Sequence, residues 1–279
     1  MAAPVIPASP ADLPSDGPRA SISGKTLRKD RWWLAPAISF AVLTAFVVYA
    51  TYAAIVGGDY YIKPYISPFY SPCLAWQCGR ATVHGATGVP HVGIFGTWYA
   101  WSPALLILIF PLGFRMTCYY YRRTYYRAFW QSPPACAVAE PHKRYSGETR
   151  FPLILQNLHR YFFYAGLLFN CILTYDAVMG FAGKHAYGGG HVGVGSFVLV
   201  INAGLLWAYS LSCHSCRHIM GGRLKHFSRH PIRFKFWGFV TKLNAKHMQL
   251  AWASLIFVAL TDLYVRLAAS GSLGHGSWI

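Results

Sequence analysis

Five apolar runs, each long enough to cross a bilayer, dominate this 279-residue chain. They fall at about 32–56, 98–118, 153–181, 192–211 and 247–267. Roughly 20 residues of helix span the hydrocarbon core, and a helix satisfies its own backbone there. The runs therefore dictate an all-α membrane protein, with five transmembrane helices in one bundle. Charged residues make up only 12% of the chain, about half the share of a soluble domain. Pro103 and Pro111 are expected to bend the second run. Residues 1–31 read as a flexible cytoplasmic tail, 32–269 as the membrane domain and 270–279 as an outer tail. The first residues are rich in Ala, Pro and Ser, with no apolar stretch to serve as a signal peptide or anchor.

A formal charge of +17 would suit nucleic acid if it were spread evenly. It is not. Twenty Lys and Arg residues lie in the tail, the second-to-third loop and the fourth-to-fifth loop, against three or four in the remaining loops. That asymmetry is the positive-inside pattern. It places the N-terminus in the cytoplasm and the C-terminus outside, in the plasma membrane, with lipid and not nucleic acid as the surroundings. The long loop at 57–96 then lies on the oxidising side, where Cys73 and Cys78 are expected to form a disulfide. No internal repeat is evident.

The chemistry concentrates at the basic ends of the runs. Cys213 and Cys216, three apart at the end of the fourth run, can present two thiolates to one metal centre. His159 opens the third run and His247 the fifth, on the same side. Two thiolates and two imidazoles suit zinc or a Rieske-type two-iron cluster. His214 and His218, four apart on one helix face, are alternative ligands. A bare CxxC also serves disulfide chemistry. A haem b reading pairs His159 with His247 and His91 with His191 but leaves the cysteines without a role. A cofactor-free transporter or scaffold is a further alternative.

Deeper in the runs, Tyr164, Tyr209, Gln249 and Trp252 offer an aromatic, hydrogen-bonding lining for a quinone ring. Acids within a span are functional candidates. Asp176 is expected on a proton route or paired with Lys184, and Asp262 in a pair with Arg266 four residues on.

Four stretches resemble the membrane-anchor, cytochrome b-like subunit of actinobacterial succinate dehydrogenase, of the haem-free mycobacterial type. They are Tyr119–Trp130 (YYYRRTYYRAFW), 152–163 (PLILQNLHRYFF), 210–222 (SLSCHSCRHIMGG) and 242–252 (KLNAKHMQLAW). The resemblance implies a complex with a flavoprotein subunit and an iron–sulfur subunit. It also implies a membrane-embedded [2Fe-2S] Rieske-type cluster and the reduction of a quinone, menaquinone or ubiquinone. Its cysteine ligands fall on Cys213 and Cys216, its histidine ligands on His159 and His247. The paired Cys-x-His boxes of soluble Rieske domains are absent. The chain has no flavin or succinate site, so it serves the enzyme without being catalytic alone.

Overall fold

The computed structural model describes residues 30–79, 94–136, 138, 141, 153–186, 192–222 and 224–273. Nearly all of the 1–31 tail, most of 270–279, and both His91 and His191 lie outside the described residues. The element order is α1 (Leu34–Val56), a small hairpin of β1 (Tyr61–Ile62) and β2 (Tyr65–Ile66), α2 (Pro103–Ile107), α3 (Ile109–Met116), α4 (Tyr119–Tyr125), α5 (His159–Ala186), α6 (Val194–Leu211), α7 (His214–Gly221), α8 (Pro231–Asn244) and α9 (His247–Ala269). Four helices, α1, α5, α6 and α9, are each long and apolar enough to cross a membrane. A fifth span is present if the bent pair Pro103–Met116 and Tyr119–Trp130, which meet at 82°, counts as one.

The second run is thus not the straight helix its hydropathy suggests. Pro111 has no N–H to give the carbonyl four residues back, and the helix breaks at Leu108 between α2 and α3. After α3 the chain turns at Thr117 and Cys118 and leaves along α4.

Helix α6 packs between α5 and α9. The buried positions of α9, His247, Ala251, Ser254, Leu255, Val258, Asp262 and Val265, recur every three or four residues and form one stripe. Many are small, which lets helices approach closely in lipid, where apolar burial between helices gives little drive. By contrast, α1 buries only Ala53 and Ala54. Most of its surface is open to lipid or to another subunit.

A cap built from residues 57–79 closes one end of the bundle. In the hairpin, Tyr61 pairs with Ile66 and Ile62 with Tyr65. The Tyr65 ring settles where α6 begins: a Cβ on Gly195 would lie 2.6 Å from it, so only glycine fits there. Cys73 and Cys78 are joined by a disulfide. Asp262 is fully buried and takes Arg266 Nε at 2.8 Å and the Tyr49 hydroxyl at 2.6 Å, and Ser67 also donates to it. Arg266 donates onward to the carbonyls of Gly58 and Ala53, each at 2.7 Å. The Asp262–Arg266 pair expected from spacing therefore ties α9 to the end of α1 and to the cap.

Candidate functional site

The opposite end of the bundle holds a cavity of about 400 Å³, lined among others by Cys118, Gln156, His159, Cys213, Asn244 and His247. Each cysteine sits at a corner, where a membrane helix stops and a short helix leaves in a new direction. Their backbones match: φ −68° and ψ 130° at Cys118, φ −65° and ψ 144° at Cys213. At both corners a short helix departs directly after the cysteine, Tyr119–Tyr125 after Cys118 and His214–Gly221 after Cys213.

The correspondence extends well past the cysteines. One residue before each stands a hydroxyl, Thr117 or Ser212. Four before each stands an aromatic ring, Phe114 or Tyr209. Phe114 stacks on His159 at 5.2 Å between centroids and 18° between planes, and Tyr209 stacks on His247 at 5.1 Å and 12°. Thr117 Oγ1 lies 2.8 Å from His159 Nδ1, and Ser212 Oγ lies 2.6 Å from His247 Nδ1. Three residues before each histidine stands an amide. Gln156 donates to the Thr117 carbonyl, and Asn244 donates to the Ser212 carbonyl at 2.7 Å. The chain therefore carries one local design twice, an aromatic-x-x-hydroxyl-Cys corner answered by an amide-x-x-His helix start. This corrects the expectation of no internal repeat. The repeat is invisible to hydropathy because its two halves share geometry and only five residue classes.

Hydroxyl accounting fixes the histidine tautomers. Thr117 Oγ1 donates to the Gly113 carbonyl at 2.7 Å, and Ser212 Oγ donates to the Tyr209 carbonyl at 2.8 Å. A hydroxyl has one proton to give, so each accepts from the imidazole, which must hold its proton on Nδ1. The Nε2 lone pairs are left facing sulfur. The pairing is crossed: His159 Nε2 lies 3.0 Å from Cys213 Sγ, and His247 Nε2 lies 3.4 Å from Cys118 Sγ. Burial pushes the Cys213 thiol up to about 12, with the neighbouring Cys118 adding to the effect. A bound cation reverses that balance, because a coordinated thiol is deprotonated outright.

Cys216 is buried but does not line the cavity. Cys213 is the extended residue at the corner, and Cys216 lies within the first turn of α7. Cys118 stands where Cys216 was expected. His214 lines the cavity mouth, and His218 lies at the surface with Arg160 Nη2 at 2.7 Å from its Nδ1. Tyr209 is 1% exposed and Trp252 is half-buried against Tyr121, whereas Tyr164 is 50% exposed and Gln249 also faces outward. Those four do not form one lining. Asp176 stands at the cap end, roughly 26 Å along α5 from His159, and accepts from Ser71. Among the described residues, no three His, Cys, Asp or Glu side chains converge as they would on a single ion.

Comparison with known proteins fixes the family. The chain matches the family model of actinobacterial succinate dehydrogenase subunit SdhC over residues 34–271. A chain of the Mycobacterium smegmatis Sdh1 complex in the apo form is similar in structure, with a TM-score of 0.78 and 50% sequence identity, covering 94% of this chain and 96% of that one. No curated protein sequence matches. With its apolar helices, the chain is a multi-pass plasma-membrane protein whose partners are other subunits of the complex. It belongs to the actinobacterial SdhC family, as a non-catalytic membrane subunit of succinate dehydrogenase.

Proposed function

We propose that this subunit passes electrons from the iron–sulfur subunit to a quinone, and that Cys118, Cys213, His159 and His247 hold a Rieske-type [2Fe-2S] centre. The observation that carries this reading is the crossed pair of half-sites. Two sulfurs and two imidazole lone pairs face each other in pairs around a shared cavity. A single zinc ion needs its donors about 2.0–2.3 Å from one point. Among the described residues no three such donors converge on one point, which suits a larger, two-metal centre instead. Such a centre stores one electron, at a potential raised by histidine ligation.

The protein's own contribution is to orient and to shield. Thr117 and Ser212 hold the imidazoles in the tautomer that presents Nε2, and metal-ligating histidines regularly depend on such an outer partner. Phe114 and Tyr209 fix the ring planes. The basic loops put this end of the bundle on the cytoplasmic side by the positive-inside rule, where they dock the iron–sulfur subunit. Of the four residues expected to meet the quinone, Trp252, half-buried against Tyr121, remains the best placed.

The test is purified complex assayed for iron, acid-labile sulfide and electron paramagnetic resonance after reduction. A Rieske-like signal at low average g, with no Soret band in the reduced-minus-oxidised spectrum, is expected. A strong Soret band would replace this reading with the haem one, and a complex without iron in this subunit would leave a scaffold.

A further inference from the structure

Ahead of their cysteines, the two half-sites differ in chemistry at two neighbouring positions. Where the second half has Ser210 and Tyr209, the first has Arg115 and Phe114. Arg115 is the larger departure. It lies three residues before Cys118, on the bundle side of the cavity. Its Nη1 donates to the Tyr121 hydroxyl at 2.5 Å and its Nη2 to Ser254 Oγ at 3.2 Å. Ser254 is seven residues into α9 from His247, or roughly 10 Å deeper at helical rise. The guanidinium also stands 4.8 Å from the Tyr209 ring centre, and the same ring stacks on His247 at 5.1 Å. Laid end to end, these distances put the charge within about 10 Å of the imidazole.

Every partner of Arg115 among the described residues is neutral. The two described acids within the spans are committed elsewhere, Asp262 to Arg266 and Asp176 to Ser71, both at the cap end. A cation held inside a membrane bundle without a counter-charge is costly and marks function. Here the counter-charge comes and goes. Two ferric ions, two sulfides and two thiolates cancel, so an electron derived from succinate leaves the centre with one net negative charge.

We propose that Arg115 is the fixed counter-charge of the reduced centre, a positioning residue that makes this subunit a better electron acceptor. The inference rests on the Rieske-type reading above. At about 10 Å and an effective dielectric near 20, one unit charge biases the reduction equilibrium on the order of tenfold. For a one-electron couple that is 59 mV.

The experiment is a redox titration of the resonance signal in membranes containing the whole complex. Arg115→Met should lower the midpoint potential by about 59 mV, with iron content unchanged. Arg115→Lys, which keeps the charge, should recover at least half of that shift. If Arg115→Met fails to assemble, Arg115→Gln, which keeps a hydrogen-bond donor without the charge, is titrated in its place. A midpoint equal to wild type in the neutral variant, or an equal fall in the Lys and neutral variants, overturns the proposal. Absence of any such signal from the wild-type complex would instead remove the reading on which it rests.

Discussion

The two half-sites share a plan but not an environment. His247 is 2% exposed, sealed between Tyr209 and Tyr120, whereas His159 is half-buried and stands nearer the surface. The sealed half also has Arg115 against the far side of its aromatic wall. Identical donors in unequal surroundings behave differently: a hydrogen bond lost in the sealed half has no water to replace it, and one lost in the open half does. The comparison separates what holds a centre from what tunes it.

The harshest way to break the pairing is to remove a sulfur. Cys118→Ala or Cys213→Ala should each lower succinate-driven quinone reduction at least 100-fold, while succinate oxidation with a soluble artificial acceptor persists. His159→Ala with His247→Ala should do the same. Unchanged quinone reduction in any of these would remove that residue from the set. Next come the hydroxyls. Thr117→Val and Ser212→Ala each take away an imidazole partner, a change that typically costs 10–100-fold in metal affinity. The loss in Ser212→Ala should be the larger, measured as iron release to a chelator, and equal losses would mean that burial does not distinguish the halves. Tyr209→Phe removes the smaller of the two differences ahead of the cysteines. Its hydroxyl is buried without a hydrogen-bond partner among the described residues, so thermal stability should stay the same or rise by up to about 1 kcal/mol. A clear fall in melting temperature would reveal a partner for it. The smallest effect belongs to Cys216→Ala, which should keep more than half of wild-type quinone reduction and the full resonance signal.

Much of the membrane architecture was readable in advance, because lipid allows few solutions. Four of the five apolar runs are uninterrupted spanning helices, and the Asp262–Arg266 pair obeys helical spacing. In the second run the bend expected from its prolines appears at Leu108, but hydropathy measures length and not direction and gave no sign of the 82° corner that follows. Cys118 was not singled out, because as the last residue of an apolar run it gives no hint of the corner it occupies. The signal for it was present in the pairs Thr117–Cys118 and Ser212–Cys213, both closing an apolar run. Tyr164 and Gln249 were avoidable misplacements. At 100° per residue, Tyr164 is turned about 140° from His159, and Gln249 about 160° from His247. Neither can face the cavity its neighbour faces. What no pattern could supply is the crossing, which depends on how α5 and α9 seat between two corners far apart in sequence.

That crossing has a consequence for biogenesis. The first half of the chain, through α5, has one thiol and one imidazole of the proposed ligand set, and so does the second. Each histidine is steadied by its own corner yet meets the sulfur of the other, so neither portion offers a complete pair of like ligands. Under the proposed Rieske-type reading, iron loading would wait until both portions have docked, and retention of the metal would report correct insertion. Two co-expressed fragments divided between α5 and α6 would acquire the centre only by finding one another.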